Sequence, residues 1–325
     1  MDFKQVVSLI QDDLNDVEGL IAKSLENSVS LISDIGRYLS TGRGKYIRPI
    51  LVLLTSKMNG YTGKRSILYS TVVELIHMAT LLHDDVIDEA EKRRGSPSVN
   101  SMWGNQASIL LGDYLFAKAF SMMAEDKDIR IIDSISRASV KMAEGEVIQL
   151  MESYRLREDE GPYLERINRK TASLMSSCCE IGALLGGNGQ KQEQVFPLFG
   201  LHIGMAFQLV DDALDYVAKE DRLGKPLCQD LMEGNITLPL IYLYRTVNGS
   251  EKKKIQEIIE SENTIEQQDV EIISKMVRDH GAIDYTLQTA KDYVEKAKDN
   301  LRVFDNSEYL EALLTVADYI VERDF

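Results

Sequence analysis

The segment ELIHMATLLHDDVID, residues 74–88, is apolar on most faces of a helix and ends in a cluster of aspartates. A helix that is hydrophobic nearly all round belongs in the centre of a large helical bundle. Positions four apart share one helical face, so Asp84 and Asp88 point in the same direction. Because like charges at that spacing destabilise a helix, the segment predicts a buried helix whose end binds a cation.

A second segment, GMAFQLVDDALD at residues 204–215, repeats the pattern and places Asp211 and Asp215 on one face. Oxygen ligands suit Mg²⁺, which usually takes one or two carboxylates together with substrate phosphates and water. Two such clusters predict a diphosphate held between acidic walls by metal ions. The alternatives are a solvated acidic helix end and a ferritin-like di-iron site. The iron site needs Glu-x-x-His spacing, which none of the four histidines supplies to these clusters.

The composition favours long helices over a turn-rich β fold. The chain has 325 residues and 6 prolines, where an average composition of about 5% would supply roughly sixteen. Its 52 acidic and 37 basic side chains give a formal net charge of -15. Because no basic stripe is available to displace counterions from phosphates, a general nucleic-acid binder is disfavoured.

Apolar residues recur at helical spacing along the chain. They predict an amphipathic first helix over residues 6–21, apolar helices that include residues 70–82 and 198–209, and a last helix over residues 309–321. No alternating strand pattern is sustained. We therefore predict one all-α domain over residues 1–325, a bundle of long helices around a central cavity. Breaks are expected at residues 40–44, 93–97, 160–162, 185–189 and 223–226.

The chain is predicted to be cytoplasmic and to have no integral membrane segment. Its three cysteines, Cys178, Cys179 and Cys228, give neither a disulfide framework nor metal-ligand spacing. The N-terminal residues carry acidic side chains within their apolar pattern and lack the features of a signal peptide. No stretch approaches the ~18 consecutive apolar residues of a membrane span.

Basic residues stand where a metal-bound diphosphate would need them. Arg93 and Arg94 follow the first aspartate cluster, and Lys225 follows the second. The glycine-flanked segment GRGKYIRP, residues 42–49, leads into a helix, and Lys170 lies in an apolar helix where an ionised lysine is costly without an anion. Each is singly an ordinary surface charge, but jointly they predict a divided anion site.

These motifs together resemble the trans-polyprenyl diphosphate synthase family. The flanking helices, including the C-terminal ADYIVERDF, are similar to long-chain, octaprenyl-type bacterial members. The resemblance implies the isoprenoid synthase fold, a homodimer, and condensation of isopentenyl diphosphate with an allylic diphosphate such as farnesyl diphosphate. The matching segments cover about residues 40–245, in the family's order: GRGKYIRP, ELIHMATLLHDDVIDEAEKRRG, LLGDYLFAKAF, RINRKTASL, GMAFQLVDDALDY and LGKPLCQDLMEGNITLP.

The resemblance also implies roles for individual residues. About three Mg²⁺ ions would bind through carboxylate oxygens of the two clusters. The metal ligands would be Asp84, Asp88, Asp211 and Asp215, with Asp85 and Asp212 in support. Isopentenyl diphosphate would be held by Lys45, Arg48, His77 and Arg94. The departing diphosphate would be stabilised by Arg93, Lys170, Thr171, Gln208 and Lys225.

Three positions depart from the family pattern. Tyr46 stands where many members have a basic residue, and Asn235 where many have lysine. Cys228 replaces a common glycine, for which the sequence offers no physical account. His77 has a second interpretation, as an ordinary buried helix histidine.

Ala79 is expected to control the length of the product. It lies five residues before Asp84, more than one helical turn deeper. In short-chain members an aromatic residue at this depth blocks the tunnel, so alanine predicts an open one. The floor is predicted at Met122 or Met123, whose alternative role is plain core packing. Each isoprene unit is about one helical turn, about 5 Å, and the expected product has roughly 35 to 45 carbon atoms for a quinone side chain.

Other functions are weighed against this prediction. A farnesyl or geranylgeranyl synthase is disfavoured by Ala79, and a terpene cyclase by the aspartate-rich second cluster. A non-catalytic partner subunit or structural bundle would have lost some of Asp84, Asp88, Asp211, Lys170 or Arg93, and all are present. The catalytic subunit of a two-component heptaprenyl or hexaprenyl synthase remains an alternative.

Overall fold

A computed structural model describes residues 1–41, 44–93, 95–187, 189–217, 228–260 and 265–322. Within these ranges the regular structure is helical, apart from a two-stranded antiparallel ladder that pairs Lys92–Arg93 with Ser96–Pro97. A π-helical turn spans Asn168–Ala172. The helices are α1 (Phe3–Leu9), α2 (Gln11–Leu25), α3 (Ser30–Thr41), α4 (Ile47–Met58), α5 (Arg65–Ile87), α6 (Val99–Trp103), α7 (Asn105–Asp126), α8 (Ile129–Glu152), α9 (Gly161–Ile167), α10 (Ser173–Gly186), α11 (Gln190–Leu214), α12 (Gln229–Met232), α13 (Leu238–Thr246), α14 (Gly249–Ile259), α15 (Gln267–Asp279), α16 (Ala282–Leu301) and α17 (Glu308–Glu322).

The all-α prediction is confirmed by these helices. The last helix is confirmed as α17, and the break expected at residues 93–97 is the short ladder. The first helix was predicted to be continuous over residues 6–21, which is wrong. Ile10 leaves the helical conformation at φ -124° and separates α1 from α2, and its buried side chain stays in the core.

The first of two compact units comprises Met1–Arg137, Leu174–Gly200 and Asn300–Val316. Its central helix is α5, which packs against α2, α4 and α7. Gly182 of α10 lies so close to α4 that an added Cβ would be 2.8 Å from the Ser56 backbone nitrogen. The glycine therefore permits the close packing of these two helices.

The second unit comprises Ala138–Ser173, Leu201–Asp299 and Ala317–Phe325. Within it α13 packs against α15. The buried ring of Tyr163 and the side chains of Leu209 and Ile273 belong to its apolar interior. A single domain over residues 1–325 stays a prediction.

Two helices are long and apolar enough to cross a membrane by length and composition, α5 and α7. The most apolar window of α5 is 67% buried inside the protein, as in the core helix of a soluble protein. The corresponding window of α7 is 39% buried. Burial therefore accounts for the hydropathy of α5 and only partly for that of α7.

Candidate active site

The first aspartate cluster lies at the C-terminal end of α5, in the first unit. Asp84 and Asp88 are half-buried, and Asp85 between them is 2% exposed. Asp88 ends the helix, and its N–H donates to the Asp84 carbonyl at 2.8 Å. His77 is half-buried two turns earlier, on the helical face that carries Asp84 and Asp88. Helical geometry thus brings these three side chains to one face, which the sequence predicted for Asp84 and Asp88.

Asp85 is held by the ladder that follows α5. Arg93 Nε donates to Asp85 Oδ1 at 2.6 Å, and Asn100 Nδ2 donates to the Asp85 carbonyl at 3.1 Å. The Arg93 side chain is 25% exposed. Arg93 was predicted to contact a diphosphate, and here its charge is already close to a buried carboxylate.

A cavity of about 250 Å³ lies beside this end of α5. One wall is the α5 face formed by Glu74, Met78, Leu82 and Asp85, and Tyr38 and Arg93 belong to its other sides. The described chain-length residues Ala79, Met122 and Met123 are buried and do not line it. Met122 instead has its sulfur 3.9 Å from Ser24 Oγ of α2.

The basic segment at residues 42–49 leads into α4. Lys45 is exposed, and Arg48 is half-buried in the first turn of the helix. The charges of Arg48 and Glu74 both act on the buried Cys178 thiol, whose pKa burial raises to about 12. Arg48 therefore lies at the α4–α5 side of the first unit. Arg43, Arg94 and Lys225 lie outside the described residues.

The second aspartate cluster ends α11, in the second unit. Asp211 and Asp215 are half-buried, and Asp212 is 3% exposed. The Asp215 carboxylate accepts backbone hydrogen bonds from Gln229 and Asp230, each at 3.2 Å. Burial, reinforced by the Asp230 carboxylate, raises the pKa of both Asp212 and Asp215. Such crowding of carboxylates favours a bound cation.

Lys170 and Thr171 lie in the π turn, which joins α9 to α10. Lys170 Nζ is 2.5 Å from Glu146 Oε2 and donates to Gln149 Oε1 at 3.1 Å, both on α8. The anion that Lys170 was predicted to need is supplied here by the protein itself. A Cβ on Gly145 would be 2.6 Å from the Lys170 backbone nitrogen, so α8 approaches the turn closely because residue 145 is glycine.

Hydrogen bonds connect Thr171 to the second cluster. Thr171 Oγ1 donates to Gln208 Oε1 at 2.7 Å, and Gln208 Nε2 donates to Asp212 Oδ1 at 2.8 Å. Tyr163 completes the arrangement by donating to Asp212 Oδ2 at 2.6 Å. Of these residues, Thr171, Gln208 and Asp212 were predicted from the family resemblance, whereas Tyr163 and the Lys170 partners Glu146 and Gln149 were not predicted. The sequence signal for Tyr163 was its position seven residues before Lys170, since the hydroxyl of a buried tyrosine usually finds a hydrogen-bond partner.

The structure explains the glycine that Cys228 replaces. Cys228 precedes α12 with φ 57° and ψ 38°, the left-handed region that glycine adopts at lowest cost. Its N–H donates to the Asp215 carbonyl at 2.9 Å, which fixes the chain beside the second cluster. Tyr46 is also left-handed, at φ 51°, where it precedes α4. Asn235 donates from its side chain to Asp230 Oδ1 at 3.2 Å.

The carboxylate oxygens of the two clusters suit Mg²⁺ whose other coordination positions are filled by water and by phosphate oxygens of a substrate. Both clusters offer oxygen atoms only, which is the coordination that Mg²⁺ prefers. Across the described residues no three His, Cys, Asp or Glu side chains already form a metal site. Mg²⁺ commonly takes one or two carboxylates and fills its other positions with water and phosphate oxygens, so a preformed cage is not required.

The chain is similar to known proteins in sequence and in fold. The polyprenyl synthetase family profile matches residues 29–277. The chain is 37% identical over 325 residues to an octaprenyl diphosphate synthase of Haemophilus influenzae, covering 100% of this chain and 98% of that one. It is 34% identical to heptaprenyl diphosphate synthase component 2 of Bacillus subtilis, covering 100% and 92%. A polyprenyl synthase structure from Caulobacter crescentus, complexed with calcium and isoprenyl diphosphate, superposes with a TM-score of 0.95 at 36% identity, covering 99% and 98%.

The chain belongs to the polyprenyl synthetase family. The predicted isoprenoid synthase fold and the predicted enzyme class, a long-chain trans-prenyltransferase, are confirmed by this membership and by the structural similarity.

Proposed function

We propose that this chain makes an octaprenyl-type diphosphate by adding isopentenyl diphosphate repeatedly to an allylic diphosphate such as farnesyl diphosphate. The observation that carries the proposal is the pair of half-buried aspartate clusters, each at the end of a long apolar helix. An apolar helix that ends in carboxylates suits a substrate with an apolar tail and a diphosphate head.

Asp84, Asp88, Asp211 and Asp215 would hold Mg²⁺, about three ions in all, through carboxylate oxygens. The metal, when bound, supplies Lewis-acid withdrawal of electron density from the diphosphate leaving group. Asp85 and Asp212 support the ligands by their position within the same two clusters. A protein without these ligands would lose the electrostatic stabilisation on which bond cleavage depends.

The basic and polar residues would divide the two diphosphates between them. Lys45, Arg48, His77 and Arg94 would bind the diphosphate of isopentenyl diphosphate. The departing diphosphate of the allylic substrate would be stabilised by Arg93, Lys170, Thr171, Gln208 and Lys225. Lys170 can exchange its bond to Glu146 for a phosphate oxygen, since a diphosphate offers the stronger charge.

The reaction would proceed by cleavage and then bond formation. The allylic C–O bond breaks, and its electron pair leaves with pyrophosphate. The double bond of isopentenyl diphosphate then attacks the allylic carbon to form a C–C bond. A proton is lost from the new chain to the pyrophosphate, which explains why the sequence shows no dedicated catalytic base.

Chain length would be set below the first cluster. Ala79 is buried on α5 and carries only a methyl group. An aromatic side chain at this depth would block the growing tail. Met122 or Met123, both buried on α7, would form the floor. A product of roughly 35 to 45 carbon atoms follows if each isoprene unit occupies about 5 Å of tunnel.

A homodimer in the cytoplasm is proposed as the working state. On α7, the described side chains of Ile109, Leu110 and Phe120 are 42%, 67% and 38% exposed. Exposed apolar side chains on a helix of high hydropathy are typical of a subunit interface. Size-exclusion chromatography with light scattering would test it, and a monomer at micromolar concentration would contradict it.

A second candidate is the catalytic subunit of a two-component synthase. The 34% identity to a heptaprenyl synthase component, over the whole chain, favours it. Incubating the purified chain with farnesyl diphosphate, isopentenyl diphosphate and Mg²⁺ separates the candidates. Release of pyrophosphate by the chain alone supports the one-component enzyme. No release unless a second subunit is added supports the two-component enzyme. The same incubation with excess chelator is expected to show no release.

A further inference from the structure

Tyr163 is a buried tyrosine whose hydroxyl is committed to a buried carboxylate. The residue is 2% exposed and lies on α9, and its hydroxyl donates to Asp212 Oδ2 at 2.6 Å. Asp212 is 3% exposed and stands between Asp211 and Asp215 in the second cluster. The Tyr163 hydroxyl is therefore bonded to Asp212, which lies in sequence between the proposed metal ligands Asp211 and Asp215.

The bond to Asp212 also determines the orientation of Gln208. Asp212 Oδ1 accepts from Gln208 Nε2 at 2.8 Å, one helical turn earlier on α11. In this arrangement the Gln208 amide presents its nitrogen to the carboxyl oxygen, which accepts the hydrogen bond. Its oxygen then faces Thr171, whose hydroxyl donates to it at 2.7 Å. Fixing Asp212 thus fixes which end of the Gln208 amide faces the π turn.

The two ends of this hydrogen-bonded series belong to elements that carry the proposed chemistry. Tyr163 is on α9, which leads directly into the turn of Lys170 and Thr171. Asp212 and Gln208 are on the last two turns of α11, which carries Asp211. The hydroxyl therefore joins the helix before the turn to the helix that ends in the cluster. Arg166 has its guanidinium carbon 5.4 Å from the Tyr163 ring centroid and donates to the Ile236 carbonyl at 2.9 Å, so a fixed cation packs against the ring.

We propose that Tyr163 is a positioning residue of the second aspartate cluster: it holds Asp212, and through Asp212 the amide of Gln208, in the orientation that prenyl transfer needs. The inference rests on the proposed function. Tyr163 itself touches no substrate, and removal of its hydroxyl acts through Asp212 and Gln208.

The test compares Tyr163→Phe with Tyr69→Phe. Tyr69 is a matched control because it is fully buried, its hydroxyl donates to the Asp126 carboxylate at 2.5 Å, and it belongs to the first unit. Both variants lose one buried hydroxyl–carboxylate bond, so both are expected to melt at a lower temperature than the wild type. Steady-state kinetics are measured well below the melting temperature of each variant.

Tyr163→Phe is expected to lower kcat about 10- to 100-fold, the usual effect of removing a residue that orients a metal ligand or its neighbour. KM for isopentenyl diphosphate stays within about three-fold of wild type, because Tyr163 is not among its proposed contacts, which are Lys45, Arg48, His77 and Arg94. Tyr69→Phe keeps the wild-type kcat. Equal kcat in Tyr163→Phe and wild type, or an equal fall in both variants, would overturn the inference.

A double-mutant cycle with Gln208→Leu gives an independent check. If Tyr163 acts by orienting the Gln208 amide, Tyr163→Phe lowers kcat less than about two-fold once that amide is gone. Full additivity of the two substitutions would overturn the inference even if Tyr163→Phe alone is slow. An inactive wild-type chain, by contrast, contradicts the proposed function itself, so the two failures are distinguishable.

Discussion

Arg93 Nε lies 2.6 Å from Asp85 Oδ1, so the basic residue that follows the first cluster is bonded to the aspartate between the two proposed ligands. The carboxylate is almost fully buried, and the guanidinium is a quarter exposed. The contact links the end of α5 to the ladder of residues 92–97. A charge pair at this place fixes the position of Arg93 before a diphosphate arrives.

Asp85→Asn is expected to lower the free energy of unfolding by about 1–3 kcal/mol, because it removes the negative charge that pairs with the Arg93 guanidinium in a buried site. Urea unfolding measures the loss. Asp34→Asn is the matched control, since the Asp34–Arg37 pair is exposed at the surface. It should be indistinguishable from wild type. Comparable losses in both variants would show that burial of Asp85 adds nothing.

The sequence predicted the helices well where helical periodicity alone determines the structure. It predicted them less well where contacts between distant parts of the chain determine it. The aspartates at positions 84 and 88 share a face by helical geometry alone, so periodicity was sufficient. Neither the break at Ile10 nor the π turn around Lys170 contains a Gly or Pro that would predict it. The π turn depends on the approach of α8 at Gly145, a contact 25 residues away in sequence that no local pattern contains.

The residues of the candidate site also fall into those that the sequence predicted and those that it did not. Residue types and spacing predicted the aspartates and Lys170 as ligands of a metal-bound diphosphate, whereas Thr171 and Gln208 were predicted from the family resemblance. Partners such as Glu146 and Tyr163 act through hydrogen bonds to these residues, and carboxylates and tyrosines on amphipathic helices are common. Their roles follow from distance and burial, which the sequence does not contain.

Gly145→Ala is expected to displace the π turn, because the new Cβ would lie 2.6 Å from the Lys170 backbone nitrogen. We expect a lower melting temperature together with at least a ten-fold lower kcat, since about 1.4 kcal/mol of lost transition-state stabilisation has that effect. Gly19→Ala is the control, because Gly19 is exposed within α2 and a Cβ added there would meet nothing within 4 Å. That substitution should stabilise the helix by up to about 1 kcal/mol. Wild-type kinetics in Gly145→Ala would contradict the role of the close packing.

Asp128 is expected to make stability depend on pH. Burial alone would raise its pKa, but hydrogen bonds from Arg130 and Arg65 outweigh burial and lower the pKa from 3.8 to about 2. A depressed pKa stabilises the folded state above the unfolded value, and this contribution is lost as the pH falls from 3.8 towards 2. The shift corresponds to about 2 kcal/mol.

Urea unfolding of Asp128→Asn at two pH values measures this contribution. The variant should be about 2 kcal/mol less stable than wild type near pH 6, and the difference should shrink near pH 2.5. Asp16→Asn, which removes an exposed pair with Lys64, serves as the control and should show no such change with pH. A deficit in Asp128→Asn that is equal at both pH values would refute the assignment.

Ala79→Phe is expected to shorten the product sharply, because the ring would enter the space that the growing tail needs. The tail of the product would then extend only about one helical turn, about 5 Å, below the first cluster, whereas the wild-type tail extends several times as far. Thin-layer chromatography of the dephosphorylated products gives the length. Ala312→Phe, at an equally buried alanine of α17, controls for overpacking and should leave the length unchanged if the variant folds. An unaltered distribution of product lengths in a folded, active Ala79→Phe enzyme would contradict the proposal that the tail passes residue 79.

The proposed function is tested by the product-length distribution that the wild-type chain alone forms from farnesyl diphosphate, labelled isopentenyl diphosphate and Mg²⁺. We expect products centred on roughly 35 to 45 carbon atoms, at about 5 Å of tunnel for each added unit. Asp84→Asn and Asp211→Asn, assayed in parallel, should form none of them. Products that stop at one or two additions would contradict long-chain synthesis, and product formation that survives both substitutions would contradict the role of the aspartate clusters.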